Sequence, residues 1–199
     1  MITVQLKAGC QDNWINLGDA NQGSSGDLYT GRPGTGGTLH RILCRFDELS
    51  DGTVPQGHPV ESATFSMWMD ADSSSNSHAI YMKRLLRDWS ESESTYVYWK
   101  SGEEWGSPGA DQEGTDIDGD VFSQITMSPT APRGRYTWTL PPYEVYKMIN
   151  GIYVNYGWFV WPQGAGDATY YRWDSSESGN GPILTINLIE PPGGLMGIL

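Results

Sequence analysis

The sequence contains few cysteines, and it has no long apolar run. Cys10 and Cys44 are the two cysteines among 199 residues, and a secreted domain that relied on disulfides would usually carry more. A bridge between them and a pair of free thiols both stay open at this point. Cys44 shares a predicted strand face with Ile42 and Phe46, which is typical of a small core residue. No stretch approaches the roughly 20 apolar residues that span a membrane, and residues 1–9 hold no run of signal-peptide length. The sequence therefore predicts a soluble chain that has no membrane partner and stays in the cell that makes it.

Basic residues are also scarce. Twelve Lys and Arg stand against 24 Asp and Glu, which gives a formal net charge of -12. Such a surface repels phosphate backbones, so nucleic acid is not an expected partner. His40, His58 and His78 show no metalloprotease spacing, and no serine sits in a GxSxG elbow. The sequence thus predicts a protein that is not an enzyme and that needs no cofactor.

Alternating polar and apolar residues dominate the chain. Ala63, Phe65 and Met67 fall on one face of a predicted strand, and similar short runs recur between clusters of Gly, Ser and Asp. The pattern predicts an all-β fold, an antiparallel β-sandwich of jelly-roll type in a single domain over residues 1–190. One short helix is predicted at 143–150, opened by two prolines and ended by Gly151. We expect at least eight strands and these buried side chains: Ile42, Cys44, Phe46, Ala63, Phe65 and Met67.

Seven short motifs follow one another from Trp14 to Leu188. They are Asn13-Trp14-Ile15-Asn16, Leu43-Cys44-Arg45-Phe46-Asp47, Val60-Glu61-Ser62-Ala63-Thr64-Phe65, Trp89-Ser90-Glu91, Trp105-Gly106-Ser107-Pro108-Gly109, Asn155-Tyr156-Gly157, and Ser175-Ser176-Glu177 before Pro182-Ile183-Leu184-Thr185-Ile186. The set resembles the DNRLRE-type β-sandwich family, which overlaps with carbohydrate-binding modules reported to bind alginate. The resemblance covers nearly the whole chain. It implies a sandwich that serves either as a structural module or as a glycan-binding module.

A candidate ligand surface combines cations with aromatic rings. Lys83, Arg84 and Arg87 are the dense cations of the chain, and a uronic-acid polymer such as alginate would need such a patch. Trp89, Trp99 and Trp105, three of nine tryptophans, gain most from the family resemblance, which implies structural positions for them, and Trp89 and Trp105 are the candidate ligand contacts. Structural roles are the competing interpretation, since sandwich cores also use Trp and since one of the cations could pair with Asp88 or Glu91.

A candidate metal site lies in the long segment 101–119 and just after it, where loops of such length are often functional. Asp116, Asp118 and Asp120 alternate with other residues in a glycine-rich stretch, and Ca²⁺ accepts oxygen ligands of this kind. The spacing is not that of an EF-hand. Counted from Asp116, glycine stands at the fourth position instead of the sixth, and Met127 stands at the twelfth, where an EF-hand has its bidentate Glu. An exposed acidic loop that binds nothing is the other interpretation.

The C-terminal segment 191–199 reads as a linker with an apolar tip. Pro-Pro-Gly-Gly precedes four apolar side chains, those of Leu195, Met196, Ile198 and Leu199. We expect this tail to dock on another chain of an assembly or on a neighbouring copy, because burying four such side chains outweighs the ordering of a short segment. Folding back onto its own sandwich is the alternative.

Two functions compete at this stage. Members of the resembling family are mostly modules of large secreted proteins, whereas this chain shows no signal, and phage structural proteins are made in the host cytoplasm without one. We therefore expect a non-enzymatic virion protein of a tailed phage, a decoration, cement or fibre component assembled in the host cytoplasm. The alternative is a carbohydrate-binding module for an acidic polysaccharide such as alginate, located outside the cell or on its surface.

Overall fold

The structure, a computed structural model, describes residues 1–33, 37–72, 74, 76–162 and 169–190. These ranges contain thirteen strands and one α-helix. In chain order the elements are β1 (Ile2–Leu6), β2 (Cys10–Ile15), β3 (Asp27–Arg32), β4 (Arg41–Phe46), β5 (Val60–Asp72), β6 (His78–Arg84), β7 (Tyr98–Lys100), β8 (Glu103–Glu104), β9 (Ser123–Met127), β10 (Gly134–Leu140), α1 (Pro142–Ile149), β11 (Trp158–Pro162), β12 (Thr169–Asp174) and β13 (Ile183–Leu188). The all-β class, the short helix and the expectation of at least eight strands are confirmed.

Two antiparallel sheets form the sandwich. The six-stranded sheet has the order β1-β13-β5-β12-β3, with β10 paired to the other edge of β5. The five-stranded sheet has the order β2-β4-β11-β6-β9. The 13-residue strand β5 is long enough to pair with β13 along its first half and with β12 near its end. Strands β2 and β3 therefore lie at the edges of their sheets.

The core between the sheets is built from large aromatic side chains. Phe65 of the six-stranded sheet meets Phe46 and Trp158 of the other sheet, with ring centroids 6.1 and 6.0 Å apart, and Trp138 packs beside Phe65 at 5.6 Å. Alternating faces explain this arrangement, because each strand sends every second side chain toward the facing sheet. The six side chains predicted to be buried are all buried, so that prediction is confirmed.

The helix begins and ends where its sequence signals place it. Pro142 occupies the first turn, where a missing N–H is harmless, and Gly151 follows the helix with a φ of +67°. Val145, Met148 and Ile149 are buried, and the helix packs against β5. Among the described residues, no helix is long and apolar enough to cross a membrane.

A second layer covers the outer face of the five-stranded sheet. The chain between β6 and β9 folds over this face and forms its own hydrophobic cluster with the strands beneath it. The cluster consists of Ile15, Leu43, Leu85, Trp89, Trp105, Ala110, Ile117 and Phe159. The long segment 101–119, singled out from the sequence, is therefore the cover of a small second core.

The two cysteines are free and buried. Their sulfur atoms lie 3.5 Å apart, which is an unbonded contact, since a disulfide needs about 2.05 Å. Burial raises the pKa of both thiols. Of the two alternatives that the sequence left open, the structure has the pair of free thiols.

Candidate functional site

The predicted cations are paired inside the protein. Lys83 is buried, forms an ion pair with Glu113 and donates to the carbonyl oxygen of Gly119 at 3.0 Å. Arg84 donates to Asp118 at 2.7 Å. A carboxylate ligand would have to displace these partners. Neither side chain offers an open positive charge.

Arg87 belongs to the same arrangement. Its Nε lies 3.5 Å from a carboxylate oxygen of the fully buried Asp116. All three predicted cations thus hold the second layer through acids of the segment 111–119. The expectation of a cationic surface patch is corrected, because the acids that neutralise it lie about 30 residues away in sequence.

The two predicted tryptophans are interior residues. Trp89 is 1% exposed and its Nε1 donates to the carbonyl oxygen of Tyr156 at 2.8 Å. Trp105 is 4% exposed and donates to the carbonyl oxygen of Thr95 at 3.0 Å. A ring that stacks on a sugar needs an open face, so this burial argues against ligand contact and favours the structural interpretation.

The carboxylate of Asp116 organises the second layer instead of holding a metal. It accepts hydrogen bonds from the backbone N–H groups of Gly106 at 2.8 Å, Ser107 at 3.0 Å and Gln112 at 3.2 Å. These three donors occupy both of its oxygens, and Arg87 adds an ion-pair contact at 3.5 Å. The predicted calcium role of Asp116 is therefore replaced by a structural one.

The other two acids of the predicted metal site have different surroundings. Asp118 is paired with Arg84, which helps to hold the pKa of this carboxyl below its ordinary value against the raising effect of burial. Asp120 is exposed and its N–H faces Asp118 at 3.5 Å. Within the described ranges, the grouping of three metal-binding side chains lies elsewhere, so the structure does not support calcium binding by Asp116, Asp118 and Asp120.

That grouping consists of Asp12, Glu91 and Glu177, here called the acidic trio. One oxygen from each carboxylate lies within 4.8 Å of the others. Asp12 comes from edge strand β2, Glu91 from the loop after β6, and Glu177 from the loop between β12 and β13. The trio therefore joins both sheets and the second layer at one end of the sandwich.

The electrostatics of the acidic trio are unfavourable as it stands. Asp12 is 1% exposed, and its burial, together with the charges of Glu177 and Glu91, raises its pKa to about 8. Burial also raises the pKa of Glu91. None of the ion pairs formed by described residues includes a member of the trio. Three carboxylates close together without a cation repel one another.

Sequence reasoning passed over the trio although two signals pointed to it. Glu91 ends the quoted motif Trp89-Ser90-Glu91, and Glu177 ends the quoted motif Ser175-Ser176-Glu177. Asp12 directly precedes a third motif. In sequence these motifs indicate structural positions, and nothing in their spacing shows that they meet in space.

An apolar groove lies beside the helix. Its lining combines the outer face of α1 with the chain that leads into β5, and its volume is about 670 Å³. The lining residues are Gly57, Pro59, Val60, Pro142, Tyr143, Tyr146 and Ile152. Tyr143 is 65% exposed and Ile152 is 60% exposed, so this is an open apolar surface.

The groove lies where the described chain ends. The N–H of Ile189 donates to the carbonyl oxygen of Pro59 at 2.9 Å, and Pro59 lines the groove. The predicted interface residues Leu195, Met196, Ile198 and Leu199 lie outside the described residues, so their docking stays a prediction.

No protein-family model matches the chain, and no curated protein matches it significantly. The resemblance to DNRLRE-type sandwiches and to alginate-binding modules therefore rests on the quoted motifs alone.

Proposed function

We propose that this chain is a non-enzymatic structural module that joins a larger assembly through the groove beside α1. The observation that carries the proposal is the open apolar groove lined by Tyr143, Tyr146 and Ile152. Scattered exposed apolar residues are normal on a soluble protein, whereas a contiguous apolar surface marks an interaction site. In its finer form the proposal is a decoration, cement or fibre component of a tailed-phage virion.

The proposed occupant of the groove is the segment 191–199 of a neighbouring copy. The described chain ends at Glu190 beside the groove, and four apolar side chains follow within nine residues. A volume of about 670 Å³ accommodates several aliphatic side chains. Burying each of them is worth roughly 1.5 to 3 kcal/mol. A contact in which the tail of one copy enters the groove of the next is a head-to-tail interface. Such interfaces produce closed rings or open filaments.

Deleting residues 191–199 should abolish self-association or binding to the particle, while the melting temperature of the isolated fold changes by less than about 2 °C. A groove variant, Tyr143→Ser with Ile152→Ser, should have the same effect, because both side chains are more than half exposed and contribute little to folding. Sedimentation velocity measures the association, and co-sedimentation with virions tests the phage form.

Mixing the two variants separates docking between copies from folding back. The tail-deleted chain keeps its groove and the groove variant keeps its tail, so their mixture should form heterodimers that neither forms alone. Leu17→Ser is the matched control, since Leu17 is 59% exposed and lies outside the groove. Monomers throughout, with a lower melting temperature on tail deletion, would instead show that the tail covers its own sandwich.

A second candidate function is a carbohydrate-binding module for an acidic polysaccharide such as alginate. One observation favours it: the rings of Tyr81 and Trp161 lie 5.5 Å apart, half-buried, on the outer face of the five-stranded sheet. The Nζ of Lys83 lies 5.6 Å from the centre of the Trp161 ring. Because Glu113 already neutralises Lys83, the two rings are the part of this surface that could stack on a sugar.

Trp161→Ala should abolish retardation of the protein by alginate in affinity electrophoresis if this second function is correct. Changes at Lys83, Arg84 and Arg87 would not test this surface, because they would disturb internal ion pairs. Trp99→Ala is the control, because Trp99 is also half-buried and has a lysine, Lys100, 4.6 Å from its ring centre. Equal retardation of wild type and Trp161→Ala, or no retardation of wild type, would refute glycan binding at this surface.

A further inference from the structure

We propose that Asp12, Glu91 and Glu177 bind one calcium ion, which fastens edge strand β2 to the β12–β13 loop and to the second layer. The three ligand oxygens lie within 4.8 Å of one another, although they come from three distant parts of the chain. This site is separate from the apolar groove beside α1. The calcium proposal therefore does not depend on the proposed function.

An acidic cluster alone does not make a site, but Asp12 adds a second observation. Its carboxylate is 1% exposed, and its Oδ1 is buried without a hydrogen-bond partner. Its Oδ2 accepts a hydrogen bond from the N–H of Ser176 at 2.8 Å. A buried carboxylate oxygen without a donor is costly, and a cation shared with the two glutamates would satisfy it.

Hydrogen bonds from the backbone and from neighbouring side chains hold the ligands in place before any ion binds. The N–H of Asp12 donates to Oε1 of Glu91 at 2.6 Å, and the hydroxyl of Ser176 donates to Glu177 at 3.2 Å. The side-chain amide of Asn21 donates to the carbonyl oxygen of Glu91 at 2.6 Å, which fixes this loop. Because these side chains are already ordered, they lose little conformational entropy when an ion binds, and the binding free energy is reduced less by that cost.

Among the residues that the structure describes, no ion pair supplies the trio with a cation. Arg45 exerts a favourable charge on Glu91, but its guanidinium is engaged with Asp47 at 2.7 Å and with Asp88 at 3.3 Å. The trio therefore gathers three carboxyl groups in a small volume of a protein with a formal net charge of -12, and burial together with the two glutamates raises the pKa of Asp12 to about 8. A divalent cation is the natural counterion.

The donor set favours calcium over softer or smaller ions. All three ligands are carboxylates, which suit hard cations. Ca²⁺ accepts irregular sets of oxygens and completes its shell with water, whereas Mg²⁺ requires a near-ideal octahedron. The sulfur of Cys10 lies 3.8 Å from Oδ2 of Asp12, but it is outside the group of three whose ligand atoms lie together.

Titration of the EDTA-treated full chain with CaCl₂ tests the proposal by calorimetry and thermal unfolding. We expect one ion per chain, and a melting temperature that rises by at least about 5 °C at 100 times the dissociation constant. MgCl₂ should bind at least about tenfold more weakly because of its stricter geometry. No heat of binding and no shift with CaCl₂ would overturn the proposal, and equal binding of Mg²⁺ would overturn the assignment to calcium.

Glu177→Gln separates a metal ligand from a merely structural acid. Glu177 is exposed, so this change removes one charge without opening the core. Without calcium the variant should melt at or above the wild-type temperature, because repulsion within the trio falls. With calcium the variant should not show the rise in melting temperature expected of the wild type. It should bind calcium at least about tenfold more weakly, because one ligand charge is removed. Asp120→Asn, an exposed acid of the site predicted from the sequence, should behave as wild type. Calcium binding by Glu177→Gln at wild-type affinity would refute the trio as the site.

Discussion

Replacing Trp138 by alanine should lower the free energy of unfolding by about 3 to 5 kcal/mol. Trp138 is fully buried, and its ring centre lies 5.6 Å from that of Phe65 and 5.8 Å from that of Trp173. Its Nε1 also donates to the carbonyl oxygen of Ile80, on the facing sheet, at 3.1 Å. The substitution opens a cavity and removes a hydrogen bond between the two sheets. For a chain of this length the melting temperature should fall by about 10 °C.

Urea denaturation followed by circular dichroism measures this effect. Trp138→Phe keeps most of the ring and should lose about 1 to 2 kcal/mol, mainly the hydrogen bond. Thr137→Ala is the control on the same strand, since Thr137 is exposed on the opposite face, and its effect should stay within about 0.5 kcal/mol. A loss below about 1 kcal/mol for Trp138→Ala would contradict the packing of the two sheets around this ring.

Replacing Asp116 by alanine should be the second large effect, a loss of about 3 to 5 kcal/mol. The change leaves the N–H groups of Gly106, Ser107 and Gln112 without their acceptor and Arg87 without its partner. Hydrogen bonds to a buried charged group contribute more than neutral ones. Because these partners all belong to the second layer, the layer should open before the sandwich unfolds.

Hydrogen exchange and limited proteolysis distinguish this local opening from global unfolding. In Asp116→Ala, cleavage should begin within 101–121, and the amides of the core strands should stay protected. Asp120→Ala is the matched control, because Asp120 is exposed, and its stability should stay within about 0.5 kcal/mol of the wild type. Wild-type resistance to proteolysis in Asp116→Ala would show that this carboxylate does not organise the layer.

The two experiments address different cores. Trp138 lies in the cluster between the sheets, whereas Asp116 holds the segment that covers Trp89 and Trp105 on the outer face. Tyr143 and the acidic trio lie outside both clusters, whereas Val60, which also lines the groove, packs against the first. A functional surface can therefore be altered at Tyr143 or Glu177 without disturbing the packing that supports it.

The sequence by itself determined the fold class and the burial of the six core side chains predicted from it. Alternation with a period of two places Ala63, Phe65 and Met67 on one face of β5, and all three are buried. The helix likewise follows from local signals, a proline in its first turn and a glycine after its last. Such features are local: each depends on the order of a few neighbouring residues, which the sequence states directly.

Only the tertiary structure decided which charges meet. Lys83 is paired with Glu113, and Arg84 with Asp118, which are 30 and 34 residues apart in sequence. Asp12 and Glu177 of the acidic trio are 165 positions apart in sequence. Nothing in the sequence distinguishes either residue from the many other acids of the chain. Separation along the chain does not fix separation in space, because strand pairing brings distant segments together. The sequence could therefore name the residue types of a site, but the folded sandwich determined which of them are buried, paired or left with an oxygen that lacks a partner.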